Sequence, residues 1–465
     1  MSFPAADSQG NSSGPTGANG EDRTSQSGLG RSGSSRNQAG TPSSIAVFQA
    51  RNLRWNFFWG LLDGAFFGTY LVLIDVNLVI PWLLSQLTDL RWVIGLTPTI
   101  ATVGSSLPQL FAARFVQREP FRRKYVVGFS VLRLLSLTAM LPLLFWPIAG
   151  QTATLVMVLV GFSLASFMVS FIALPWQDMI AKVIPARRLS SFFGLRSALG
   201  GVLGLGMAAF IRAYLGATGT VPLPKFGLIF TLGIVAIGLA ALANVFIREP
   251  AGLVNLDRPP LPRQFRQAFL LSWHHRPYRH YLAMRSLLMM SSLTAPLFIV
   301  EGRGHYGLLA ESIGTFTIAG LVAGIVASLF WSFLGDRLGL MRLLRVVALL
   351  SMAPALIALA MPAIAASTIG PFNGWLAVFC VLGAAITGQQ NVNFRGMLEL
   401  PPPEDRSLMI GVGNTFAGVV SLAGPLIGLL ADLAGVQSAF AFSALATVTV
   451  VVLTGRLTSR PAPAI

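Results

Sequence analysis

The chain has 465 residues, of which 54% are hydrophobic and only 11% charged. Soluble domains carry about 25% charged residues, so this composition excludes a soluble globular fold and points to a polytopic membrane protein. The net charge is +16, from 33 basic residues (30 of them Arg) against 17 acidic ones. These charges gather in short connections between apolar runs, which membrane topology explains better than binding to nucleic acid. One cysteine, Cys380, excludes disulfides, and His274, His275, His280 and His305 form no His-Glu-x-x-His pattern. No metal site, cofactor site or catalytic constellation is expected, and the chain does not read as an enzyme.

Residues 1–45 are rich in Ser, Gly, Thr and Asn and read as a disordered tail. Six apolar segments follow at 54–83, 90–115, 125–147, 152–175, 190–214 and 226–247. A polar, basic connection then runs from Arg248 to Arg279. Six more segments follow at 280–300, 308–334, 343–363, 372–396, 407–430 and 436–455. Each is near the ~20 residues needed to cross a bilayer core. The expected fold is therefore all-α, with twelve transmembrane helices in two six-helix bundles, 46–250 and 280–456. A central loop, 251–279, joins them, and a short tail, 457–465, ends the chain. Placing both termini in the cytoplasm puts 26 of the 33 Lys and Arg residues on the inner side and four on the outer. Arg133, Arg196 and Arg285 lie inside segments. That bias predicts a multi-pass protein of the cytoplasmic membrane with both termini inside.

The turn between segments 8 and 9 reads Leu334-Gly335-Asp336-Arg337-Leu338-Gly339-Leu340-Met341-Arg342. Between two membrane segments it resembles the cytoplasmic loop signature of the major facilitator superfamily, roughly Gly-x-x-x-Asp-Arg-x-Gly-x-x-x-Arg. The first half repeats it loosely, with Ala112-Ala113-Arg114 in place of Gly-Asp-Arg. The six-plus-six pattern extends the resemblance over residues 50–456. The Gly-Pro pair that marks drug/proton antiporters in helix 5 is absent there, and a Gly-Pro pair occurs instead at Gly424-Pro425. The stretch Leu174–Pro185, followed by Arg188 and Phe193-Gly194-Leu195-Arg196, resembles a poorly characterised bacterial branch, which carries no substrate with it.

The resemblance implies a central cavity lined by helices 1, 4, 7 and 10. Each of those segments carries a polar stripe. In segment 1, Asn56, Asp63, Tyr70 and Asn77 recur every seven residues on one face. Segment 4 offers Ser163, Ser166, Ser170 and Gln177, segment 7 offers Arg285 and Ser292, and segment 10 offers Thr387, Gln389, Gln390, Asn391 and Asn393. The expected substrate and coupling residues are Asp63, Asn56, Tyr70, Arg285, Gln389, Gln390, Asn391, Asn393, Ser166 and Ser170. The plain alternative is interhelical hydrogen bonding, above all for the serines. Asp63 lies nine residues past Arg54, roughly 13 Å into the membrane, where a carboxylate either exchanges a proton or sits in a static ion pair. Arg133 and Arg285 are the candidate partners for such a pair. A cytoplasmic gate is expected from Gly335, Asp336, Arg337, Gly339, Arg342, Arg395, Asp178, Arg188 and Arg196.

The resemblance implies a secondary transporter of a small solute that works by alternating access, acting as a monomer in the bilayer. No nucleotide-binding loop is present, so a proton gradient is the expected driving force. Export of a small organic compound is the first expectation. Uptake of a sugar-like or polar solute, and a non-transporting sensor or lipid-handling role, remain alternatives.

Overall fold

The structure is a computed structural model that describes residues 42–108, 120–252, 261–402 and 405–458. Most of the N-terminal tail, the core of the first-half loop motif around Arg114, part of the central connection and the last residues lie outside that set. Among the described residues all regular structure is helical, with no strand. Ten helices are long and apolar enough to cross a membrane. They are Arg123–Phe145, Gly150–Val183, Ala186–Leu215 and Leu223–Phe246 in the first half. In the second half they are Arg276–Tyr306, Glu311–Arg337, Leu340–Leu359, Gly370–Glu399, Leu408–Ala434 and Val436–Gly455. These match segments 3–12. Segment 1 is a 32-residue helix, Pro42–Leu73, followed by Val79–Leu87. Segment 2 is seen as Arg91–Ile94 and Leu96–Ser106 before it leaves the described residues.

Two features differ from the sequence reading. The central connection is not only a loop: Leu261–His274 is helical, and the next helix starts at Arg276. Segment 1 is not continuous. The chain leaves helical geometry after Leu73, and Asp75 Oδ1 accepts the backbone N–H groups of Asn77 (2.8 Å) and Leu78 (2.6 Å). A carboxylate that bonds the N–H two and three residues on competes with the helical ladder and starts a new helix. Asn77 therefore no longer shares a face with Asn56, Asp63 and Tyr70.

Segment 1 packs against segments 5 and 6. Gly60, Gly64 and Gly68 recur every four residues and face segment 5. A Cβ on Gly60 would lie 2.6 Å from the Phe192 ring, and one on Gly68 would lie 2.6 Å from the Cα of Gly200. Small residues at this spacing let two membrane helices approach closely where hydrophobicity gives no net drive. The second half repeats the device. Segments 8 and 10 touch at Gly320 and Gly383, where a Cβ has no room against the facing backbone.

The hydrogen bonds between the two halves gather at the end opposite Pro42, called here the far end, while apolar contacts such as Leu107 on Gly418 and Ile325 on Gly201 run further along the seam. Asp432 caps the Arg91–Ile94 helix, accepting N–H bonds from Arg91 (2.9 Å) and Trp92 (3.0 Å). Thr99 Oγ1 donates to the Ser421 carbonyl (2.6 Å), and Arg303 donates to the Ser85 carbonyl (2.7 Å). Ala310 and Glu311 donate backbone bonds to the carbonyls of Thr218 and Gly216. Gly424, of the Gly-Pro pair, sits against Thr99 and Gly95. Among the described residues every hydrogen bond between the halves lies at this end.

Replacing Gly68 with Val is expected to pry segments 1 and 5 apart and cost about 1–3 kcal/mol, the range for overpacking. Gly206→Val is the control, because nothing lies within 4 Å of a Cβ there. Melting of the detergent-solubilised protein should fall for the first variant and stay unchanged for the second.

Candidate functional site

The polar stripe of segment 1 exists as a buried face, but it looks into the first half rather than into a cavity. Asn56 is fully buried, and its amide clamps the backbone of Arg248. Nδ2 donates to the carbonyl (3.0 Å) and Oδ1 accepts the N–H (2.9 Å). This bond anchors the end of segment 6, and Asn56 has no solute to meet. Tyr70 is 4% exposed, and the Arg133 guanidinium lies 4.5 Å over its ring. A cation over an aromatic face is stabilised where water is scarce. Arg133 is itself buried, not reaching to the interface as its long side chain would allow.

Asp63 sits between these two. Its Oδ2 pairs with Arg196 at 3.1 Å, and its Oδ1 accepts from Asn244 Nδ2 at 2.8 Å. Arg196 stacks over Trp176 (4.6 Å) and Phe67 (5.5 Å). The ion pair foreseen for Asp63 thus forms, but neither Arg133 nor Arg285 is the partner. Arg196, assigned from its sequence position to the gate, takes that place. It lies about 15 Å along its helix from Ala186, at the depth of Asp63. Glycine at position 64 leaves the space that the Arg196 side chain fills.

In segment 4, Ser170 Oγ donates to the Gly104 carbonyl (2.6 Å), and Ser166 is buried against Gly104. Both serines join segment 4 to segment 2, the plain alternative for small polar residues.

Two adjoining cavities lie between the halves. The smaller, about 300 Å³, is lined by Arg285, Tyr281, Ser292, Gln389, Gln390 and Asn393 among others. The larger, about 520 Å³, reaches Arg196, Asp75 and the segment 5 and 8 glycines. Asn77 and Gln390 line both. Asn77 reaches this position only because the chain breaks at Asp75. In segment 10, Gln389 accepts from Ser292 Oγ (2.9 Å) and donates to Ser351 Oγ (3.0 Å), tying segments 7, 9 and 10. Tyr281 Oη donates to the carbonyl of Asn393 (3.0 Å). Gln390 is exposed to the cavities. Asn391 points elsewhere, towards Gly335, with its Oδ1 buried and without a partner. Arg285 donates to the Gly413 carbonyl (3.0 Å).

The gate residues divide. Asp178 pairs with Arg122 (2.7 Å) and Lys182 (3.1 Å). Glu249 accepts the backbone N–H groups of Arg122 and Arg123, both at 2.8 Å, and pairs with Lys182 (3.1 Å). An acid at the start of a helix satisfies its free N–H groups and the positive end of its dipole. Sequence reading missed Glu249 and Arg122; the only signal was an acid following an apolar segment and an Arg preceding another. In the second half, Arg395 donates to the Gly335 carbonyl (2.7 Å) and pairs with Glu399 (2.6 Å). Asp336 is exposed and does not pair with Arg395. Arg337 lies over the Phe333 ring (4.0 Å), Gly339 precedes the next helix, and Arg342 and Arg188 are exposed.

Removing one partner of a buried pair costs about 3–5 kcal/mol, because the other charge is left unmet. Asp63→Asn should therefore lower the melting temperature sharply. Adding Arg196→Met should restore part of the loss. A double variant as unstable as the sum of the two single variants would show that the pair contributes nothing to stability.

Residues 286–465 match the Major Facilitator Superfamily family model. No curated protein matches the chain. Solved structures match its fold over most of its length. A peptide transporter, POT, aligns with TM-score 0.63 and 10% identity, covering 86% of this chain and 94% of that one. A bacterial homologue of the iron transporter ferroportin, solved inward-facing, aligns with TM-score 0.61 and 15% identity, covering 90% of this chain and 100% of that one. A D-xylose–proton symporter aligns with TM-score 0.60 and 15% identity, covering 86% of this chain and 96% of that one. The resemblance read from the Gly335–Arg342 turn is thus shown, and the chain is a multi-pass membrane protein of the major facilitator fold.

Proposed function

We propose that this protein is a proton-coupled secondary transporter that moves a small polar solute through the cavities between its halves by alternating access. The observation that carries the reading is the distribution of contacts. Every described hydrogen bond between the halves lies at the far end, whereas the charged groups at the other end bond within their own half. Two bundles whose described hydrogen bonds to each other gather at one end fit rocking about a midplane site. In this reading the far end faces outward. The basic end, with both termini, lies in the cytoplasm, and twelve helices span the membrane.

Asp63 is the coupling residue in this proposal. Arg196 pairs with it and also lines the larger cavity, so protonation of Asp63 frees a cavity-wall cation. Gln390, Asn77, Asn393 and Arg285 contact the solute, while Asn56, Tyr70, Ser166 and Ser170 hold the scaffold. Solutes accumulated by proteoliposomes under an imposed pH gradient, and not by empty liposomes, test the function. Among properly folded molecules, Asp63→Asn should lose gradient-driven accumulation and keep exchange of solute for solute. Undiminished accumulation would remove Asp63 from coupling.

Closure at the basic end would bring Asp336 to Arg395 of its own bundle and to the N-terminus of segment 5 in the opposite one. Asp336→Asn should leave the protein folded, raise the reactivity of cavity cysteines from the basic end and slow turnover. Wild-type reactivity and turnover in this variant would exclude a gating role.

A further inference from the structure

A cation inside a membrane segment is costly unless an acid, an aromatic face or water meets it. Three arginines lie inside segments here. Arg196 meets Asp63, and Arg133 meets the Tyr70 ring. Arg285 meets neither. It donates once, to the Gly413 carbonyl, and among the described residues it forms no ion pair. A guanidinium carries five N–H donors in a planar fork that fits two oxygens of one anion. Most of that fork is unspent, and Arg285 is part of the wall of the 300 Å³ cavity.

The neighbours are arranged to leave it so. Tyr278 and Tyr281 stand on the same helix, and their hydroxyls donate to the carbonyls of Met409 (2.8 Å) and Asn393 (3.0 Å). Ser292 and Gln389 are committed to each other. The remaining charges on the walls lie in the adjoining cavity: Arg196 is paired with Asp63, and Asp75 Oδ1 is held by the two backbone N–H groups of the helix break. Gln390 and Asn77, which face both cavities, and Thr102, which lines the smaller one, are polar groups of the walls that remain to be used.

We propose that the solute bound in this cavity carries an anionic group, a carboxylate or a phosphate, and that Arg285 receives it through a two-oxygen contact. Gln390 and Asn77 then contact the polar body that extends into the larger cavity. The inference takes the cavity as a solute site from the transporter reading, but binding and transport are separately measurable.

The first test needs no knowledge of the solute. A single reporter cysteine is placed at Met289, on the cavity wall, in a Cys380→Ala background. Its modification rates by an anionic ethylsulfonate and a cationic trimethylammonium-ethyl thiosulfonate are each divided by the rate on a free thiol in solution. The anionic reagent should be favoured. Arg285→Gln should lower that preference by about tenfold, as expected for one charge several Å away in a medium less polar than water. Arg285→Lys should keep it. A preference for the cationic reagent, or a ratio untouched by Arg285→Gln, overturns the proposal. The second test is thermal stabilisation of the purified protein by short-chain and aromatic carboxylates and by phosphate monoesters, each beside its amide or alcohol counterpart. Stabilisation by one anionic set, lost in Arg285→Gln, supports the proposal and identifies the group. Equal stabilisation by the neutral counterparts overturns it. Arg285-dependent binding without any transport would retain the anion site and remove the transporter reading; transport of an uncharged solute at the wild-type rate by Arg285→Gln would do the reverse.

Discussion

A carboxylate buried among apolar helices must find a cation or a proton, and the first half of this protein is built around how Asp63 finds one. Arg196 comes from the neighbouring segment 5, over Gly64, and is held flat by Trp176 and Phe67. Asn244, from segment 6, takes the other carboxylate oxygen. Three helices are thereby joined at one buried point. Above it Tyr70 and Arg133 bring in segment 3, and below it Asn56 holds the chain leaving segment 6. Polar groups in a membrane interior are costly alone and cohesive together, so the stripe on segment 1 acts as the fastener of its own bundle.

The two halves are joined by different means. Their contacts are backbone-to-backbone approaches over glycine, helix caps such as Asp432, and a few side-chain bonds at one end. Individually such bonds are worth on the order of 1 kcal/mol, and around them one apolar core draws on both halves, with Leu73 and Ile94 beside Phe298 and Ile427 among its members. The buried ion pair, by contrast, lies within one half. The charged clusters at the basic end fit this division. Glu249, Lys182, Asp178 and Arg122 tie the first half to itself, and Arg395 with Gly335 ties the second.

The break in segment 1 links the scaffold to the cavity. Asp75 ends the helix by bonding its own backbone, and the consequence is that Asn77 faces the cavities beside Gln390. Irregular backbone at membrane depth is tolerated where it lines a cavity rather than lipid. One aspartate thus separates a fastening face from a cavity-lining face on a single segment.

Hydropathy alone located segments 3–12, because crossing a bilayer demands apolar length and nothing else in the chain mimics it. The glycine-aspartate-arginine turn, a local feature, was enough to point to the major facilitator fold. Seven-residue spacing put Asn56, Asp63 and Tyr70 on one face, as in the structure, and of the polar cluster read in segment 10, Gln389, Gln390 and Asn393 line the smaller cavity while Asn391 turns away. Spacing along one helix says which residues share a face, but not which neighbour that face meets. That choice depends on how the helices are rotated, and rotation is set by glycine contacts between segments far apart in the chain, as at Gly68 and Gly200. Only the tertiary structure, therefore, decided that Asp63 pairs with Arg196, that Asn56 serves the backbone of Arg248, and that Arg285 is the arginine left facing the cavity without an acid.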